Sequence, residues 1–282
     1  MNFLNFNSKI LKDDQPIIPA SNRGLRYGAG IFETMKLREG SIIMHHEHFA
    51  RLWKGLQLLQ FDIPKLWSPE KFEEQILQLA KKNKLINARV RLTVFHGEGG
   101  LYDAKDQIPN YIMETIILPQ SNGQLNENGM RLCTYEAGVK VIDSFSNIKH
   151  NNYLPYFMGA LFAKKNQCND ALILNNWGNI CDSTIANIFI IKDEKICTPP
   201  LSEGCIAGIM RKWLIEKIRE LGFSVNEAII TKTDLAEADE VFLSNSIYNI
   251  RWVSLIENKS FGNLTVKKIS AELAKRHPDE YC

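Results

Sequence analysis

The segment Ser146-Asn147-Ile148-Lys149-His150-Asn151-Asn152-Tyr153-Leu154 sets one lysine among small, amide and aromatic residues instead of in a charged run. A lysine carries a strongly hydrated charge and is seldom buried without a partner, yet a buried amine with a lowered pKa is what covalent amine chemistry requires. Taken alone, the segment reads as a surface loop. Beyond it the pattern predicts a helix from about Tyr153 to Lys165, strands over Ala171–Asn175 and Asn187–Lys192, a helix over about Gly208–Leu221 and a strand over Glu240–Ser244. Strand-like residues Arg131–Tyr135 precede it.

Upstream, Ser41–Met44 suits a strand, and Glu47–Leu59 repeats Phe49, Leu52, Trp53, Leu56 and Leu59 at helical spacing. Strand alternation would send His45 and His46 to opposite sides, which speaks against a metal site built with His48. Ser68-Pro69-Glu70 reads as an N-cap followed by proline in the first turn, opening a helix to about Lys82. Strands over Ala88–Phe95 and Tyr111–Leu118 follow, separated by the glycine-bearing stretch His96–Pro109. Between Pro119 and Gly129 the chain is polar and turn-rich, so a domain boundary is placed there. The expected organisation is a two-domain α+β protein: a small N-terminal α/β domain (1–118), a linker (119–129) and a larger C-terminal α/β domain with a mixed sheet (130–282).

Composition narrows the function classes. With 282 residues the chain is long enough for two cores, and its 45% apolar and 23% charged residues are ordinary for a soluble protein. No apolar run reaches the ~20 residues that span a bilayer, and the N-terminus shows no secretory signal, so a cytoplasmic protein is expected. A net charge of +2 gives no electrostatic footprint for nucleic acid. The six cysteines include no C-x-x-C pair and are read as free thiols. Gly97-Glu98-Gly99-Gly100 lacks the following Lys-Ser/Thr of a P-loop.

Ile148-Lys149-His150-x-x-Tyr153-Leu154 followed by Asn169-Asp170-Ala171-Leu172-Ile173-Leu174 resembles the lysine segment of fold-type IV pyridoxal-phosphate enzymes. That class IV aminotransferase family includes branched-chain aminotransferases, D-amino-acid aminotransferases and aminodeoxychorismate lyases. Further matches run in the same order along the chain: Arg26-Tyr27-Gly28-Ala29-Gly30-Ile31-Phe32-Glu33-Thr34, His48-Phe49-Ala50-Arg51-Leu52, Asn187-Ile188-Phe189 and Gly208-Ile209-Met210-Arg211. Each piece is weakly specific; the ordered set is not.

The resemblance implies that Lys149 carries pyridoxal 5'-phosphate as a Schiff base and, once displaced by substrate, acts as general base. It implies that Arg51 holds the cofactor phosphate by charge-assisted bonds, helped by the backbone of Ile209 and Met210 at a helix N-terminus and by Ser246. Many relatives carry a hydroxyl where Met210 stands, so that side-chain bond is missing here. Asp182 matches the carboxylate that pairs with the pyridine nitrogen, for which the family usually has glutamate. Tyr153 matches the tyrosine that bonds the phenolic oxygen. Tyr27 and Phe32 look like lining of the substrate pocket, and Arg91 matches an arginine able to meet an acidic side chain. The family uses no metal.

The implied activity is amino-group transfer between a branched-chain or glutamate-like amino acid and a 2-oxo acid, both small molecules. Leu101 and Asp103 stand where D-amino-acid enzymes carry a carboxylate-binding arginine and histidine, which removes support from that class. Gly208-Ile209-Met210-Arg211, Ser244-Asn245-Ser246 and the Lys149-to-Tyr153 spacing look closer to the lyase, which releases pyruvate and 4-aminobenzoate, so that reading stays open. A catalytically silent cofactor-binding relative is the third reading, against which the intact Lys149 argues. The resemblance also implies a homodimer in which a loop of one small domain closes the partner's pocket.

Overall fold

The computed structural model describes residues 2–104, 106–119 and 123–281; Gln120–Asn122 of the expected linker and Cys282 lie outside them. The chain divides into two compact units, one of Met1–Gln120 with Ile148–Asn152, the other of Ser121–Asn147 with Tyr153–Cys282. Each unit combines a sheet with helices, as an α+β protein should. The five residues around Lys149 therefore cluster with the first unit although their neighbours in sequence belong to the second.

In the first unit six described strands form one sheet: β1 (Phe3–Phe6), β2 (Lys9–Lys12), β3 (Gly30–Arg38), β4 (Ser41–Ile42), β5 (Ala88–His96) and β6 (Pro109–Ile117). Their order is β2-β1-β6-β5-β3-β4, and the long β3, β5 and β6 pair antiparallel. Three helices accompany them: α1 (Arg23–Tyr27), α2 (His45–Leu58) and α3 (Pro69–Lys82). One face of the sheet is apolar because alternate residues point the same way, and Met35, Leu37, Val90, Leu92 and Met113 pack with Leu52, Leu56, Phe72, Ile76 and Leu79 of the helices. Each such side chain contributes roughly 1.5–3 kcal/mol by burial. Ser68 caps α3 by accepting from Lys71 N, with Pro69 in the first turn, as the sequence indicates.

The entry to α2 differs from expectation. The strand stops at Ile42, and Met44, with φ 54° and ψ 42°, turns the chain so that the helix starts at His45. His45 and His46 thus occupy a helical first turn and do not alternate across a strand.

The segment 148–152 lies along β3. Phe32 N donates to Lys149 O at 2.9 Å and Asn151 N to Gly30 O at 2.8 Å. Gly30 permits this approach: a Cβ there would lie 2.5 Å from both Asn151 Nδ2 and Val94 O.

In the second unit nine described strands form a mixed sheet: β7 (Met130–Lys140), β8 (Asp170–Asn175), β9 (Ile180–Ser183), β10 (Asn187–Lys192), β11 (Lys195–Thr198), β12 (Val225–Glu227), β13 (Glu240–Asn245), β14 (Asn249–Ile256) and β15 (Lys259–Ser260). The order is β12-β11-β10-β13-β14-β7-β8-β9, with β15 on β14. β7 runs parallel to both β8 and β14, while β9, β10 and β13 pair antiparallel to their neighbours. Helices α4 (Leu154–Lys165) and α5 (Ile209–Glu220) pack on this sheet. Among the described residues no helix is long and apolar enough to cross a membrane.

Candidate active site

In the first unit three of the expected site residues meet on one ring. Lys149 Nζ lies 4.5 Å from the centroid of Phe32, and the guanidinium carbon of Arg91 lies 3.8 Å from it. The register explains this: Phe32 opposes Thr93 and Thr34 opposes Arg91, so these four side chains share the face of the sheet turned away from the apolar core. Arg91 Nε also donates to Thr93 Oγ1 at 3.2 Å, which fixes its fork. A ring flanked by two cations holds both through its negative face. Tyr27, 44% exposed, ends α1 beside Gly28, which has a left-handed φ of 66° and where a Cβ would lie 3.5 Å from the Asn152 backbone, so the turn runs beside the lysine segment.

Arg51 has a different setting. It lies on the core side of β3, where Glu33 accepts its Nε at 2.7 Å and its Nη2 at 2.6 Å, and Glu33 is also 2.8 Å from His48 Nδ1. Glu33 is 2% and His48 1% exposed. Burial by itself raises the Glu33 carboxyl, but the charge of Arg51 and the bonds from His48 and Arg51 outweigh it and hold the group at about 2. His48 is pushed down by burial, against the pull of Glu33, so a neutral imidazole donates Nδ1–H. Two of the five guanidinium donors are thereby committed, and the pairing fixes the arginine's orientation. Sequence reading missed Glu33, although an acidic residue at a core position of β3, with His48 and Arg51 three apart on the facing helix, was a usable signal.

In the second unit Asp182 is 1% exposed on β9. Its Oδ2 accepts from Tyr156 Oη at 2.7 Å, Ile206 N at 2.9 Å and Lys140 Nζ at 3.4 Å, and its Oδ1 from Asn187 Nδ2 at 2.9 Å. Burial raises its pKa, and Lys140 with these donors works against the rise. Tyr153 caps α4, stacks on Tyr156 with centroids 4.2 Å apart and donates to Thr184 O at 3.3 Å. Lys140, Tyr156 and Asn187 were not singled out from sequence; Lys140 in particular follows an irregularity of β7, between Tyr135 and Val139, that no pattern in the residues announces.

Asn187 joins this carboxylate to the start of α5. Gly208 is the N-cap of that helix, and a Cβ there would fall 2.0 Å from Asn187 Oδ1, so only glycine allows the contact. Ile209 and Met210 open the helix with no side-chain cap; both side chains are buried, so Met210 can offer an anion only its backbone N–H. Asn187 also pairs in register with Ser244, whose buried Oγ has no partner among the described residues. Ser246 lies half-buried in the following turn, which Asn245 Oδ1 folds by accepting from Ile247 N and Tyr248 N. A buried carboxylate, an uncapped helix N-terminus and an unpartnered hydroxyl form a donor and acceptor set that suits a cationic aromatic ring bearing an anion.

Among the described residues no three His, Cys, Asp or Glu side chains group as a metal site. His45 meets Glu73 at 3.3 Å instead. The five described cysteines are free thiols.

Residues 30–256 match the family described as amino-transferase class IV. The chain is 29% identical over 276 residues to a Methanocaldococcus jannaschii protein named, provisionally, as a branched-chain-amino-acid aminotransferase, covering 97% of this chain and 94% of that one. It is 28% identical over 248 residues to the aminodeoxychorismate lyase of Vibrio harveyi, covering 87% and 90%. In fold it matches the branched-chain aminotransferase of Thermoproteus uzoniensis, solved with norvaline, with a TM-score of 0.87 at 20% identity over 98% of this chain and 96% of that one.

Proposed function

This chain belongs to the class IV aminotransferase family, enzymes that use pyridoxal 5'-phosphate, and from that premise we propose that it transfers the amino group between a branched-chain or glutamate-like L-amino acid and a 2-oxo acid. When bound, the cofactor supplies a carbonyl carbon for the substrate nitrogen and an electron-withdrawing ring that stabilises negative charge at the α-carbon. The protein does the rest. Lys149 holds the cofactor and then removes the α-proton at its Nζ. Asp182 would pair with the ring nitrogen and Tyr153 with the phenolic oxygen. Arg51, the N–H groups of Ile209 and Met210, and Ser246 would hold the phosphate, and Tyr27 and Phe32 would line the substrate pocket.

The observation that carries this reading is the shared ring: Lys149 and Arg91 both lie against Phe32. A base, an apolar surface and a carboxylate receptor on one patch suit an L-amino acid whose side chain is aliphatic or ends in a carboxylate. The experiment is a single turnover with no second substrate. L-glutamate should yield one equivalent of 2-oxoglutarate per site and then stop, because the amino group stays on the cofactor. D-glutamate should yield none. The lyase reading has its own support in the Vibrio harveyi relative. Continuous pyruvate release from aminodeoxychorismate, with no oxo acid formed from any amino acid, would establish the lyase and defeat the transferase.

A homodimer belongs to the same reading. Leu154, Phe157, Met158 and Leu161 are 63%, 60%, 40% and 47% exposed and recur as one stripe of α4, an apolar surface that a second copy would cover. Light scattering should report twice the chain mass, and Leu161→Glu should shift it toward one. A fully active monomer is the contrary result.

A further inference from the structure

The lysine that faces Asp182 has no part in the reaction as described above, and its position is unusual. Lys140 is 6% exposed, its Nζ stands 3.4 Å from Asp182 Oδ2 and 5.1 Å from the centroid of Tyr156, and its carboxylate partner is 1% exposed. A buried ion pair is costly to form and more costly to break, because removing one partner strands the other charge away from water.

The four donors on Asp182 are unevenly shared. Among the described residues Oδ2 accepts from Tyr156 Oη, Ile206 N and Lys140 Nζ, whereas Oδ1 accepts from Asn187 Nδ2 alone. A carboxylate oxygen offers about two lone-pair directions. Oδ2 is therefore overfilled, and Lys140, the most distant donor and beyond ordinary hydrogen-bond length, acts there mainly through its charge. Oδ1 retains a direction for one more donor. A protonated ring nitrogen at Oδ1 would make a second cation on one carboxylate whose own exposure is 1%.

We propose that Lys140 is a place-holder for the ring nitrogen: its ammonium neutralises Asp182 while the carboxylate lacks a ring partner, and it opposes the ring cation once that partner binds. The inference rests on Asp182 being the ring's partner. Lys140 is thus a positioning residue that stabilises the cofactor-free protein and limits how tightly the cofactor is held. The two cations are coupled through one carboxylate, so removing either must strengthen the hold on the other.

The test compares stability with and without pyridoxal 5'-phosphate in Lys140→Met, Asp182→Asn and the double variant. Lys140→Met should lower Tm of the cofactor-free protein, yet tighten the pyridoxal 5'-phosphate dissociation constant by about tenfold. Opposite signs in the two states are what a merely structural lysine would not produce. The double variant, with neither charge left, should recover the cofactor-free Tm. Lys140→Gln, which keeps a donor without the charge, should tighten binding in the same sense and serves if the methionine variant does not fold. An unchanged or weaker affinity in both lysine variants overturns the proposal. Asp182→Asn separates the two layers: if it leaves cofactor affinity unchanged, the reading of Asp182 itself fails, whereas weakened affinity there with no gain in the lysine variants removes only the role of Lys140.

Discussion

Replacing Lys149 by alanine is expected to lower turnover by about four orders of magnitude and to cost only about 1 kcal/mol of stability. The asymmetry follows from where the residue sits. Its backbone does structural work, since Lys149 O accepts from Phe32 N and the neighbouring Asn151 N donates to Gly30 O, and alanine keeps both bonds. The side chain contacts the Phe32 ring 4.5 Å from Nζ, a cation–π contact of modest strength, and is half-buried, so its loss opens no large void. What disappears is the amine that lies against the Phe32 ring and is assigned to take the α-proton. Steady-state rates with L-glutamate, read beside the thermal midpoint, check both halves of the statement. A small primary amine added to the variant should restore part of the rate. Full turnover without any added amine would mean that another group is the base.

The second large effect is expected at Glu33. Glu33→Gln should destabilise the first unit by about 3 kcal/mol or more, because Arg51 and His48 then surround a neutral group in a site from which water is excluded. The pH dependence gives the same conclusion by another route. The folded Glu33 carboxyl titrates at about 2, below the ordinary 4.5, so its contribution is fully present above 4.5 and is lost as pH falls toward 2. That difference corresponds to about 3 kcal/mol. His48, with a lowered pKa in the fold, takes its proton more readily unfolded, so its contribution is lost earlier, as pH falls below 6.5. Urea midpoints measured across this range should show both losses in the native protein and only the upper one in Glu33→Gln. The variant should also hold pyridoxal 5'-phosphate less tightly, since Glu33 sets the direction of Arg51. A pH profile identical to that of the native protein would remove Glu33 from this role.

How much of this was legible in the residues depends on the range of the interaction. The cap of α3 was readable because Ser68, Pro69 and Lys71 are neighbours, and so was the start of α5 at Gly208. The left-handed turn at Met44 was not, because methionine carries no mark of positive φ, and the error moved His45 and His46 onto the wrong element. The attachment of Lys149 to β3 escaped for a different reason: it is made by backbone groups more than a hundred residues apart, and only Gly30, where any Cβ would clash, hints at it. The polar side of each cluster was half visible. Arg51 and Asp182 could be picked out by resemblance, but the groups that hold them, Glu33 and His48 in one unit and Lys140, Tyr156 and Asn187 in the other, come from the pairing of separate elements.

The central claim is that Lys149, and no other lysine, joins the cofactor. Among the described residues two further lysines are more deeply buried, Lys36 at 2% and Lys140 at 6% exposed, so the claim is open to a direct contest among them. Borohydride reduction of the protein saturated with pyridoxal 5'-phosphate, followed by peptide mass mapping, reads the answer. The account predicts loss of the visible absorption band and a pyridoxyl group fixed on Lys149; a stable adduct on Lys36 or Lys140, or none at all, would contradict it.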